Sequence, residues 1–222
     1  LGIALVVATG YIPTSPRPEK TFLRLLRRFF RHAEFLMFRM ALDWKKKGGW
    51  VERWKMMLFQ NDLLELPQKL AVFGAQIDHR LFPGTTSEQV QTLVNSLRTF
   101  ALRLKDLIDA REYPQASLLV RELIDDVRVW RTAIEELLSS WSNDPATQPD
   151  GDLQNRLAAS LTKMETRISR TLSLAEAGEL GEEDYVNFYR LLGSYRGLSE
   201  TLVGYAQLAQ GINWTQWEEA RF

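Results

Sequence analysis

Apolar residues recur three or four positions apart along most of this chain, the spacing that lines one face of an α-helix. The first stripe is Phe22, Leu26, Phe29, Ala33, Leu36, Met40 and Trp44. It predicts a helix starting near Pro18, where proline suits a first turn and Ser15 lies in a plausible cap region. Lys45-Lys46-Lys47-Gly48-Gly49 ends it, with cations and glycines suited to a C-terminus. Leu23, Leu25, Phe30, Phe35, Met37 and Phe38 widen the apolar side well beyond one stripe. Such a helix is expected at the centre of a bundle or partly in lipid.

The pattern continues to the end of the chain. A short amphipathic helix is predicted over 50–59, followed by Asn61-Asp62 as a cap and a separate helix over 67–81 closed by Pro83-Gly84. Thr85-Thr86-Ser87-Glu88 has the spacing of a capping box, Thr to Glu. The helix it opens runs to about Glu112 on the stripe Val90, Leu93, Leu97, Phe100, Leu104 and Leu107. Pro114 interrupts, and a second long helix follows to about Trp141 on Leu119, Leu123, Val127, Trp130, Ile134 and Leu137. Residues 142–151 are rich in proline, glycine and small polar groups and read as a loop. Two further helices follow, over 153–177 and from Glu182 to about Ala209, separated by Gly178 and Gly181. No stretch alternates with period two for long enough to make a strand. The expected fold class is all-α: an elongated antiparallel bundle of long helices in two helical hairpins, with shorter helices at one end. The first hairpin turns at Tyr113-Pro114, and the loop at 142–151 divides the two around one shared core.

Charge changes the picture more than composition does. The 222 residues carry 28 Lys+Arg and 28 Asp+Glu. Residues 1–60 hold 12 Lys+Arg against 4 Asp+Glu, and the rest of the chain hold 16 against 24. A basic end on an acidic body suggests that the basic end faces something negative. The basic cluster Arg17, Lys20, Arg24, Arg27, Arg28 and Arg31 directly follows the apolar run Leu1–Ala8, which favours anionic lipid over nucleic acid. Nucleic-acid binding would also call for net positive charge and a reading motif, and neither is present. Eight apolar residues cannot span a bilayer, which takes about 20. They fit the last turns of a span that leaves the bilayer on the cytoplasmic side, where Lys and Arg concentrate. A buried strand or a core helix end is the alternative.

The resulting candidate contacts, with lipid or with another subunit, are Arg24, Arg27, Arg28, Arg31, Trp50 and Trp54. Tryptophan beside lysine marks membrane interfaces, and it equally marks a packed helix corner. The arginines could also be a solvated face or pair with the acidic body. No catalytic, cofactor-binding or metal-binding residue is assigned. Cysteine is absent, so thiolate sites are excluded, and the two histidines, His32 and His79, lack the Glu-x-x-His spacing of di-iron bundles. Gly84-Thr85-Thr86-Ser87 lacks the lysine and spacing of a phosphate loop. Asp125-Asp126 and Glu135-Glu136 fall outside the chosen stripe and are read as a solvated face. No enzyme activity is expected.

Three segments carry a family resemblance. The apolar run followed by Pro13-Thr14-Ser15-Pro16-Arg17-Pro18-Glu19-Lys20 and then Phe22-Leu23-Arg24-Leu25-Leu26-Arg27-Arg28-Phe29-Phe30 resembles the exit from the first membrane block of fusaric acid resistance-type proteins. These are the aromatic acid exporter-like inner-membrane proteins of bacteria. Leu102–Arg111 looks like their helical Leu-x-x-Leu-x-x-Ala-Arg pattern, and Ile212–Phe222 is similar to their lead-in to a second membrane block. The resemblance implies three parts: 1–12 as the end of a transmembrane helix, 13–213 as a cytoplasmic helical bundle, and 214–222 as the lead-in to a following membrane segment. It implies an efflux transporter of the inner membrane, with this bundle on the cytoplasmic side linking two membrane blocks and supporting assembly or gating. The implied partners are the anionic membrane surface, the membrane domains of the same protein, a periplasmic adaptor reached through the membrane part, and further copies in a homo-oligomer. A free-standing helical scaffold or membrane-surface module is the rival expectation.

Overall fold

The computed structural model describes residues 17–42, 49–149, 152–174 and 180–218. Among these residues there are seven α-helices, one 3-10 turn and no strand, so the fold is all-α. The helices are α1 (Pro18–Leu42), α2 (Trp50–Gly74), α3 (Ser87–Ala110), α4 (Ser117–Asn143), α5 (Leu153–Leu174), α6 (Glu182–Gln210) and α7 (Trp214–Glu218), with the 3-10 turn at His79–Leu81. The expected membrane run at 1–12, the Ser15 cap and Trp44 lie outside the described residues.

The expected pair of helices at 50–59 and 67–81 is one continuous helix, α2, with Pro67 inside it. Proline removes one intrahelical hydrogen bond, but Leu63, Leu66 and Leu70 are 0–1% exposed on the face that crosses it. Burial of that continuous face outweighs the lost bond. The capping box sits one residue later than its spacing suggested. Thr86 Oγ1 accepts from the Gln89 amide at 3.2 Å, and Gln89 Oε1 accepts from the Thr86 amide at 2.7 Å. Thr85 is buried instead, and its Oγ1 accepts from the Asn213 amide at 3.2 Å, tying the start of α3 to the C-terminal segment.

Around the bundle, α1 lies beside α2, α2 beside α3, α3 beside α6, α6 more lightly beside α5, α5 beside α4, and α4 beside α1. Side-chain contacts give the directions. Phe35 stacks on Phe59 at 4.4 Å while Phe22 meets Gly74, so α1 and α2 are antiparallel. Gln89 reaches the Gly211 carbonyl while Arg103 lies on Gly197, so α3 and α6 are antiparallel too. The hairpin expected at Tyr113-Pro114 is therefore not the principal pairing. Helices α4 and α5, consecutive in the chain, pack against each other as a hairpin, and α3 takes α6, far along the chain, as its main neighbour.

Large aromatic side chains fill the middle. Phe30 meets Trp141 at 5.1 Å and Tyr205 at 4.8 Å, Phe29 meets Phe100 at 5.6 Å, and Trp130 meets Tyr195 at 4.6 Å. Helix α1 is central: Phe22, Leu23, Leu26, Phe29, Phe30, Ala33, Leu36 and Met37 are all 5% exposed or less. Its wide apolar face thus serves the protein core. The indole N–H of Trp130 donates to Ser199 Oγ at 2.8 Å, and that hydroxyl donates to the Tyr195 carbonyl at 2.9 Å. Tyr205 donates to the Pro145 carbonyl at 3.1 Å and Trp141 to the Thr147 carbonyl at 3.0 Å, so the segment after α4 is fastened to the core at two points. Burial pushes the Tyr195 phenol up to about 12 and the Tyr205 phenol well above its ordinary value, so both stay protonated.

Candidate functional site

The arginines of α1 separate into different environments. Arg28 Nη2 lies 2.8 Å from Asp62 Oδ2 of α2, which neutralises it. Asp62 is a hub that spacing did not reveal, because Asn61-Asp62 read as a cap. Within the continuous α2 it also lies 3.1 Å from His32 Nδ1 and 3.4 Å from Lys69 Nζ. The histidine contact is a close approach without an aligned hydrogen bond. Burial holds the His32 imidazole below its ordinary value, against the pull of Asp62 and with Arg28 and Arg31 pushing the same way. The neutral form of the ring is therefore favoured more than in a free imidazole.

Arg31 is exposed on the outer surface of α1. Arg24 and Arg27 belong together at the other end of the helix. With Lys20, Leu23 and Trp217 they line an open groove of about 270 Å³. The Arg27 Nε donates to the Asn143 carbonyl at 3.1 Å, which steers its guanidinium. Lys20 and Arg24 form no ion pair among the described residues. Trp217 of α7 is fully buried and packs edge-on against Phe22 at 5.5 Å and Phe82 at 6.0 Å.

Trp50 and Trp54 are not brought to this groove. They are 75% and 53% exposed at the N-terminal end of α2, beside the C-terminal end of α1. Helix α1 is about 37 Å long at 1.5 Å per residue, so the tryptophans and the groove occupy opposite poles of the bundle. Phe38, Val51, Met57 and Leu58 are exposed at the tryptophan pole as well. The grouping of six contact residues is thus two surfaces: a basic groove at one pole and an apolar stripe at the other, with Arg28 paired between them.

The acidic residues read as a solvated face also divide. Asp125 and Glu136 are exposed, but Asp126 is 3% exposed. Its carboxylate lies 2.9 Å from Lys163 Nζ and 3.1 Å from Arg167 Nε of α5. Asp126 sits in register with Leu119, Leu123 and Trp130, so the stripe itself carried the signal. Glu135 is half-buried against Arg131 at 3.2 Å, and burial raises its carboxyl above the usual range, Arg131 opposing and Glu34 adding. His79 Nδ1 lies 3.2 Å from the Thr85 carbonyl. Between α4, α5 and α6 lies an apolar cavity of about 30 Å³, lined by Leu119, Leu123, Met164, Ile168, Phe188 and Tyr195 among others. It has room for about two waters and almost nothing polar to hold them. Among the described residues no group of three or more His, Asp or Glu side chains converges to hold a metal ion. No helix among them is long and apolar enough to cross a membrane.

Comparison with protein-family models, with characterised proteins and with solved structures finds no match to this chain.

Proposed function

We propose that this chain is a cytoplasmic helical domain of a bacterial inner-membrane efflux protein of the aromatic acid exporter type, linking two membrane blocks and supporting assembly or gating. The observation that carries the reading is the position of the two ends of the described chain. The start of α1 and the terminal helix α7 meet at one pole, Phe22 against Trp217 at 5.5 Å. The un-neutralised Lys20 and Arg24 stand beside that junction. A domain inserted between two membrane segments needs its entry and exit on the same side, with cations toward anionic lipid. In this reading aromatic carboxylates pass through the membrane part, and the bundle handles none of them. Its partners are the anionic membrane surface, the membrane blocks and, through them, a periplasmic adaptor.

Liposome flotation tests the placement. Binding to anionic vesicles that weakens with salt, with little binding to neutral vesicles, is the expected outcome. No binding to anionic vesicles at low salt refutes it and leaves a free-standing scaffold as the better reading. The apolar stripe of Trp50, Trp54, Met57 and Leu58 faces away from the membrane pole, and we assign it to contact between copies of the chain. Light scattering should give a mass above 25.7 kDa that falls to the monomer in Trp50→Ser/Trp54→Ser; an unchanged oligomer sinks this assignment.

A further inference from the structure

We propose that copies of this chain pair through α2 in a parallel, in-register two-fold contact, with Trp50, Trp54, Met57 and Asn61 along the seam; its direction rests on the membrane-proximal reading above. Helix α2 has two faces to satisfy. Leu63, Leu66 and Leu70 lie on the inner one and are buried in the bundle. Trp50, Trp54 and Met57 follow at spacings of four and three on the outer one, where they are exposed, and Asn61, also exposed, is next in the series. Spacings of four, three and four are those of the a and d positions of a heptad, the seam along which two helices pack. The area is sufficient. At ~150–250 Å² for a tryptophan, the exposed shares of Trp50 and Trp54 come to roughly 190–320 Å². With Val51, Met57 and Leu58, each 42–49% exposed, the stripe offers roughly 500 Å² per copy, in the upper part of what a monomer leaves bare. Two copies would bury about 1,000 Å², the area at which a specific interface begins.

Symmetry and Asn61 fix the direction. A two-fold contact relates the copies by a half-turn and sets the same patch against itself. The helices run from the tryptophan pole to the pole where α1 begins, which the reading above sets against the bilayer. Both copies face one membrane only when the two-fold axis also runs from pole to pole, along α2. The two α2 helices are then parallel, and each seam residue meets its own counterpart. A half-turn about an axis across the bundle makes them antiparallel and points the two membrane poles in opposite directions. A single asparagine at an a position is the device that fixes register in a parallel pair. Its amide both donates and accepts, so Asn61 is satisfied by Asn61 of the other copy.

The full 222-residue chain has no cysteine, so single cysteines report the pairing directly. Trp50→Cys, Trp54→Cys, Met57→Cys and Asn61→Cys are oxidised one at a time, with Lys55→Cys, exposed but off the seam, as control. A disulfide needs Cα atoms ~4.4–6.8 Å apart, so each seam variant should form covalent dimer about tenfold faster than the control. Antiparallel pairing would link at most one seam position to itself and would join Trp50→Cys to Met57→Cys or Asn61→Cys in a mixed sample; that pattern overturns the proposal. A second measurement leaves the stripe intact. Val72 is 53% exposed on α2, and Val72→Cys carries a spin label. It lies about 27 Å along the helix from Trp54, so parallel pairing keeps two labels within about 30 Å and antiparallel pairing sets them more than about 40 Å apart. The shorter distance is expected, and the longer one overturns the proposal, as does a chain in which no seam position cross-links. The pairing is read without any membrane. Parallel links in a chain that fails to float on anionic vesicles refute the placement and not the contact, and antiparallel links in a chain that floats refute the contact and not the placement.

Discussion

Ser199→Ala strands the buried indole of Trp130, and its cost can be worked from the contacts. The hydroxyl accepts from Trp130 Nε1 at 2.8 Å and donates to the Tyr195 carbonyl at 2.9 Å. The carbonyl loses little, because it still receives the helical amide four residues on. The indole loses its acceptor. Trp130 is 1% exposed and lies between α4 and α6, where water cannot replace the hydroxyl. A buried donor left unpaired costs ~1–3 kcal/mol, and alanine's better helix propensity offsets about 0.5 kcal/mol. A net loss of ~0.5–2.5 kcal/mol should lower the melting temperature by roughly 1–10 °C for a chain of this length. Calorimetry reads the melting temperature, and urea unfolding by circular dichroism should show a lower midpoint at unchanged slope. Trp130→Phe removes the donor, so Ser199→Ala in that background should be nearly neutral. The resulting coupling should reach ~1 kcal/mol or more. Equal losses in both backgrounds, or none in the parent, would show that the hydrogen bond does not hold this seam.

Two further predictions concern the α1–α2 seam. Burial holds His32 below its ordinary value near 6.5, so the unfolded chain binds its proton more readily than the folded one. The stability tied to His32 is complete above that value and is lost as pH falls below 6.5 through the folded value. His32→Gln should flatten the stability profile between pH 7 and pH 5, and an identical slope in parent and variant would rule this out. Gly74→Ala should destabilise even though alanine is ordinarily the better helix former. Its Cβ would lie 2.9 Å from Val90 Cγ1 and 3.3 Å from Phe22 Cε2, an overpacking of ~1–3 kcal/mol that Val90→Ala should partly relieve. A Gly74→Ala variant as stable as the parent would show that the three helices can move apart at no cost.

The helices themselves were legible in the sequence because a 3.6-residue period is a local property. Each stripe of leucines and aromatics marks a face that must be buried, whatever covers it. The stops at Pro114 and 142–151 were legible for the same reason: proline and small polar residues act on their own backbone. What covers each face is not local. Helix α3 found α6 rather than its successor, and the continuous α2 ran through Pro67, because packing over a whole face outweighs one missing hydrogen bond. The site divided in the same way. Chain position and charge singled out Arg24 and Arg27, since a basic cluster beside the chain's apolar end can be read directly. Spacing could place Asp126 in register with the stripe, but it could not show that Lys163 and Arg167 would meet Asp126 while Asp125 stays exposed. Identical side chains differ there in which neighbour the tertiary structure sets against them. It also could not bring Trp217, nearly two hundred residues away, to the groove of Lys20 and Arg24. Only the closure of α7 onto the start of α1 does that, by burying Phe22 and Trp217 against each other.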